Sequence, residues 1–245
     1  GGSGAIYQFC QAFRGGESGS RHNIEFSMLE WYRPGFDLDD LMDEVEALVR
    51  RAASIVSREL PPFERARYKD LFKEALGRNP HSLTDKELME LAVSDDRIES
   101  QHLNDNADRN DCLDLLFSAR IEKTLVDPTM VRDYPESQAA LAATTLDDDG
   151  TRVADRFELF IGGMEFANGY FELTDPQELS ARMQLNNERR RSLGMEMIPP
   201  DEKLLAAMAE MPSCAGVALG VDRLLMWLAA RDSIDDVLSF SDRRL

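Results

Sequence analysis

Four charged side chains in or beside glycine-rich stretches are the groups best placed to do chemistry: Arg14, Glu158, Glu165 and Arg223. Arg14 precedes the polar run GGESGS, and its planar fork of donors suits a pair of phosphate oxygens. In FELFIGGMEFANGYFEL, residues 157–173, Gly162-Gly163 suits the positive φ angles of a tight hairpin. Counting outward from that turn pairs Ile161 with Met164, Phe160 with Glu165 and Glu158 with Ala167, which makes the two glutamates diagonal neighbours on one face. Carboxylates this close repel unless a cation separates them. Oxygen-only ligation favours a hard ion such as Mg²⁺ completed by water and phosphates, while arginine partners on an exposed sheet face would satisfy the pair without metal. Asn168 and Glu172 have the opposite parity to Glu165 and join it only if the strand is irregular near residues 167–169, where glycine permits a bulge.

Two further stretches must position these groups. Residues 6–13 and 26–32 read as strands of a hairpin whose loop follows Arg14. Alternation puts Phe26, Met28, Glu30 and Tyr32 on one face. A ring, a carboxylate and a phenol in line could stack a base and hold an amine, although a mixed surface hairpin reads the same way. In CAGVALGVDRLLMWLA, residues 214–229, Gly216, Ala218 and Gly220 alternate along a short strand and leave one face nearly bare. That face could admit a flat ligand or another strand; the helix that follows carries Arg223 in its first turn.

Elsewhere, residues 38–56 carry apolar side chains at three- and four-residue spacing, an amphipathic helix whose early acidic residues form a solvated face near the positive end of its dipole. Residues 60–125 read as further helices, broken near 61–62, 77–80 and 104–110, with no group suited to chemistry and with His81 and His102 exposed. From residue 152 strands dominate, followed by helices over 176–192 and 200–211 and a closing strand and helix. With 245 residues, 43% of them hydrophobic, the chain can bury the core of one domain. Its net charge of −18 opposes non-specific nucleic-acid binding, which draws on Lys and Arg. No run of eighteen apolar residues and no signal peptide occur, and three dispersed cysteines suit a reducing compartment, so a soluble chain in the cytoplasm is expected.

Together, FRGGESGSRHNIEFSMLEWY, GGMEFANGYFELTD and GVALGVDR resemble motif 2, the lysine-pocket strand and motif 3 of class II aminoacyl-tRNA synthetases, lysyl-tRNA synthetase in particular. Within that group the chain is similar to the elongation factor P beta-lysine ligase family, paralogues that modify a protein lysine instead of a tRNA. The resemblance implies an α+β fold, a two-layer α/β arrangement with an antiparallel sheet flanked by helices. It covers residues 1–35 and most of 125–245, and implies one catalytic domain over 1–245 with 60–125 as a divergent helical insertion. Because Gly1 stands directly before the motif 2 strand, a portion bearing motif 1 is expected to lie outside this sequence, along with the homodimer contacts it makes.

By motif position, the resemblance implies ATP and Mg²⁺ as cofactors, with Arg14 and Arg223 as the catalytic cations. Arg14 would bind the α-phosphate and Arg223 the γ-phosphate; Phe26 would stack on adenine. His22 would approach the outer phosphates, with Asn23 and Gly220 also at the nucleotide. Glu158 and Glu165 would carry Mg²⁺. Glu30, Tyr32, Asn168, Glu172 and Ala218 would form the amino-acid pocket, Glu172 pairing with the substrate's side-chain ammonium. Three positions depart from the pattern: Gly16 replaces a usual Glu, with Glu17 following; Ile24 stands where Pro is common; and Ala218 replaces the glycine of tRNA-charging enzymes. The implied reaction activates lysine or beta-lysine as an acyl-adenylate and transfers it to a lysine of elongation factor P, with no membrane and no tRNA involved. A lysyl-tRNA synthetase catalytic domain and an inactive lysine- or nucleotide-binding paralogue are the competing readings.

Overall fold

The computed structural model describes residues 2–16, 19–99, 101, 103 and 107–244. Glu17, His102 and residues 104–106 lie outside them. Among the described residues, the chain runs through β1 (Ile6–Phe13), β2 (Glu25–Pro34), α1 (Leu38–Ile55), β3 (Glu64–Arg67), α2 (Tyr68–Leu76), α3 (Asp85–Ser94) and α4 (Arg109–Arg120). It continues with β4 (Thr129–Pro135), β5 (Thr144–Leu146), β6 (Arg152–Phe160), β7 (Glu165–Phe171), α5 (Pro176–Ser192), α6 (Glu202–Met208), β8 (Cys214–Gly220) and α7 (Val221–Leu228). One sheet has the order β1-β2-β8-β7-β6-β4-β3, with β5 on β6. The pairing is antiparallel except between β3 and β4, which run parallel. The sheet is therefore mixed rather than wholly antiparallel. β3 corrects the purely helical reading of 60–125, since four residues are too few for a periodic signal.

α1 forms where expected, with Asp37 and Asp40 closing a reciprocal capping box. Its stripe of Leu38, Leu41, Met42, Val45, Val49 and Ala53 is buried against the central sheet. Asp39 and Asp43 pair with Arg65, which bears out a solvated acidic face. Ala215, Val217 and Leu219 of β8 and Phe157 and Leu159 of β6 enter the α1 core. By alternation, Gly216, Ala218, Gly220, Arg156 and Glu158 face the opposite side. A second core lies there, where Tyr68, Phe72, Leu113, Leu116 and Phe117 of α2 and α4 pack on Val131, Tyr134 and Phe160. The cleft described below opens on that same side.

Two details differ from expectation. α6 is shorter than 200–211, beginning where Asp201 caps it. His81 is half-buried rather than exposed; its Nε2 has no hydrogen-bond partner and burial lowers its pKa. No described helix is long and apolar enough to cross a membrane.

Candidate active site

The bare face of β8 is the floor of a cleft of about 290 Å³. Strand register places the residues in rows across it. Ala218 lies between Glu30 on β2 and Asn168 on β7, and all three line the cleft. In the next row Gly216 lies between Tyr32 and Tyr170. A Cβ on Gly216 would stand 2.4 Å from Glu172 Oε1 and 2.5 Å from Tyr32 Cδ1, so only glycine lets these side chains close over the strand. Tyr32 and Glu172 therefore meet at one end of the floor. At the other end Gly220 faces Met28, and an added Cβ there would meet Arg223 only at 3.8 Å, an ordinary contact.

The loop between β1 and β2 and the first turn of α7 build the Gly220 end of the cleft. Gly16 has φ +85°, so the glycine in place of the usual Glu lets the chain turn just after Arg14. Arg14 sits 5.9 Å from the centroid of the Phe26 ring, and both line the cleft. His22 Nε2 is 2.7 Å from Arg223 Nη2, while Arg223 Nη1 donates to the backbone oxygen of Glu165 at 2.8 Å. Asn23 also lines the cleft, but its side chain is committed to the fold: Nδ2 donates to Glu25 O at 2.6 Å and Oδ1 accepts from Asp242 N at 2.8 Å. Asp222 holds the start of β2 by accepting from Ser27 N at 2.7 Å.

The carboxylate hairpin needs one correction. Its turn is as expected, with Gly162 and Gly163 at φ +61° and +65° and Ile161 N donating to Met164 O. Phe160 then faces Glu165, but Leu159 faces Ala167, so Glu158 faces Asn168 and not Ala167. The extra residue is Phe166, which turns into the α1 core against Trp227 at 5.9 Å, and the bulge lies there rather than at 167–169. That slip brings Glu165 and Asn168 to the same cleft. Gly169 serves packing, since a Cβ would lie 2.3 Å from the Phe157 ring.

Glu165 is pushed up to about 7, first by burial and then by the charge of Glu158, against the pull of Arg223, Arg156 and Arg14. Glu158 pairs with Arg156 through one oxygen and accepts from Tyr134 Oη at 2.7 Å through the other. No group of three or more His, Cys, Asp and Glu side chains among the described residues could hold a metal alone. Mg²⁺ commonly takes one or two carboxylates and completes its shell with phosphates and water. Glu158 and Glu165 are carboxylates of that kind, but each already stands beside an arginine, Glu158 against Arg156 and Glu165 with Arg223 at 3.6 Å, so Mg²⁺ would share them with those cations. Glu172 is also pushed up to about 7, by burial alone, and its carboxylate has no protein partner among the described residues. Burial, then Glu30 and Glu172, raises the Tyr32 phenol.

Several groups escaped the sequence reading. A second cavity of about 310 Å³ shares Arg21, His22, Glu165 and Arg223 with the cleft, and its far wall comes from Tyr68, Asp114, Phe117 and Glu122 of the 60–125 segment. That stretch, read as empty of chemistry, thus borders the site. Burial pushes the Asp114 carboxyl up to about 6. Arg156 and Tyr134 lie behind Glu158. The spacing of Arg156 two residues before Glu158, hence on the same strand face, was the signal available for the first.

The model of the family described as tRNA synthetases class II (D, K and N) matches residues 1–244. The chain belongs to the class II tRNA synthetases. Among similar proteins of this class II group, the one named elongation factor P--(R)-beta-lysine ligase in Mannheimia succiniciproducens is 42% identical over 98% of this chain and 72% of its own length. The protein of the same name in Vibrio cholerae is 44% identical over 98% of the chain and 72% of its length. That of Sodalis glossinidius is 42% identical over 99% and 73%.

Proposed function

We propose that this chain is an ATP-dependent ligase that activates (R)-beta-lysine as an acyl-adenylate and transfers it to a lysine side chain of elongation factor P. The observation that carries the reading is the half-buried carboxylate of Glu172, without a protein partner among the described residues, which meets Tyr32 over Gly216 at one end of the β8 floor, while Arg14 and Arg223 line the cleft toward Gly220 at the other. A buried carboxylate discriminates strongly for a ligand that brings an ammonium group. The names of the relatives supply the acceptor and the beta isomer. Residues 1–245 serve as one catalytic domain in this reading, with 60–125 inserted and tied to it by β3.

In the mechanism, Glu172 and Tyr32 hold the amino acid's side-chain amine, and Asn168 and Glu30 fix its head group beside Ala218. Phe26 stacks the adenine and Arg14 grips the α-phosphate, so that the amino-acid carboxylate attacks in line; this is chiefly a positioning task. Arg223, braced by the Glu165 backbone, and His22 stabilise charge on the outer phosphates, where exclusion of water strengthens the effect. Mg²⁺ held by Glu158 and Glu165 would neutralise the leaving pyrophosphate. The acceptor amine then displaces AMP. Its three cysteines are free, two of them buried, in keeping with a reducing cytoplasm. The family likeness also implies a homodimer.

Pyrophosphate exchange with (R)-beta-lysine and with α-lysine, followed by transfer to elongation factor P or tRNA, tests the assignment. We expect exchange with (R)-beta-lysine and transfer to the protein. Exchange with neither amino acid, or transfer to tRNA alone, overturns it.

A further inference from the structure

Arg156 is a largely covered guanidinium, 14% exposed in its side chain, with each of its three nitrogens engaged. Its Nη2 pairs with Glu158 Oε1, its Nη1 donates to Gln138 O at 2.8 Å, and its Nε donates to Asn168 Oδ1 at 3.1 Å. The rings of Tyr134 and Tyr170 lie 4.6 and 5.7 Å from the guanidinium carbon. Tyr134 in turn closes on the other oxygen of Glu158. These contacts cross β6 and β7 where Glu158 faces Asn168 and Arg156 faces Tyr170.

The consequence follows from what arginine lacks. It has donors and no acceptor, so the atom of Asn168 that meets Nε must be the amide oxygen. The amide NH₂ is then turned away from Arg156, and Asn168 lines the cleft beside Ala218. A free Asn could rotate its amide by half a turn and present an acceptor to the same spot; with Arg156 in place it cannot do so without setting two donors against each other. We infer that Arg156 is a positioning residue that fixes Asn168 with its NH₂ toward the amino acid's head group and holds Glu158 in the same rotamer clamp. This deepens the ligase reading and rests on it through the placing of Asn168. Lysine cannot replace the fork, because one ammonium cannot span Glu158, Gln138 O and Asn168 in a plane.

The test uses the whole chain and three readouts: the KM values for ATP and for (R)-beta-lysine in pyrophosphate exchange, calorimetric binding of the amino acid without nucleotide, and the melting temperature. In R156K we expect the amino-acid KM and the calorimetric Kd without nucleotide to rise by about tenfold or more, as for loss of a charge-assisted contact and its geometry, and the ATP KM to rise as well, because Glu158 loses the partner that holds it. N168D still accepts from Arg156 but has no NH₂, so it should show the same amino-acid defect with the melting temperature kept. N168D also serves if R156K does not fold. An unchanged amino-acid KM in a folded R156K or in N168D overturns the role of Arg156. Absence of exchange in the unaltered protein sinks the ligase reading instead, a separate outcome.

Discussion

Asp242 Oδ2 accepts the backbone hydrogen of Ile24 at 2.6 Å, which ties the one-turn helix Asp242–Arg244 to the loop that carries Arg14. The backbone of Asp242 is held in return by Asn23 Oδ1. Neighbouring support comes from Ile234 N, which donates to Ser20 O at 2.8 Å. A distant segment of chain thus sets the entry to β2. Asp242→Ala should raise the ATP KM in pyrophosphate exchange several-fold, roughly the 0.5–1.5 kcal/mol of one hydrogen bond, while the amino-acid KM stays near its original value. Equal change in both would show that the tie does not act on the nucleotide end.

Gly216→Ala should abolish amino-acid binding. The new methyl would overlap Glu172, directly after β7, and the ring of Tyr32, which is held in β2 by pairing with β8 on the very residue replaced. Calorimetry with (R)-beta-lysine should register no heat while circular dichroism stays native; retained binding would mean the two side chains do not form the pocket end.

Ala218→Gly should widen the floor between Glu30 and Asn168 and relax discrimination against α-lysine. A single methyl group in a pocket is worth roughly 1–3 kcal/mol, or about 10–200-fold. The ratio of kcat/KM values for the two isomers is the measurement.

The pH dependence follows from Glu172, whose carboxyl is pushed up to about 7 by burial. A folded-state pKa above the unfolded value means that stability is fully present below the unfolded pKa, near about 4.3, and is lost as the pH rises through about 7. Glu172→Gln should therefore melt higher than the parent at pH 8 and close to it at pH 4, without ligand. Amino-acid binding has the opposite sense, because the ammonium needs the carboxylate: affinity should fall as the pH drops below about 7, and the glutamine variant should bind poorly throughout. Thermal melts and calorimetry across that range measure both signs.

Lys69 pairs at 2.6 Å with Asp147, the first residue of the loop between β5 and β6, each 2% exposed in the side chain, and also reaches the exposed Asp149 at 2.5 Å. Asp147 also accepts from the backbone of Asp149 and Thr151. Lys69→Met removes one partner of a buried pair and should cost about 3–5 kcal/mol. At about 2–4 °C per kcal/mol for a chain of this size, the melting temperature should drop by roughly 6–20 °C, and a double variant that also replaces Asp147 should recover part of it.

By itself the sequence determined the local pieces. Helical spacing defined α1, the Gly162-Gly163 turn defined the carboxylate hairpin, and the alternation of Gly216, Ala218 and Gly220 announced a bare strand face; each depends on contacts only a few residues apart. The likeness of three short motifs pointed to the family before any contact was known. Tertiary structure decided what no local pattern carries. The bulge at Phe166 was invisible because it depends on that ring entering the α1 core, and this slip is what carries Asn168 to the side of Glu165. β3 exists because β4 offers it a partner far along the chain, and Tyr68, Asp114 and Glu122 border the site only because α2 and α4 pack across the sheet. Arg156 acquires its role from five groups spread over residues 134–170. Periodicity reports a residue's face; only the folded chain reports what stands opposite it.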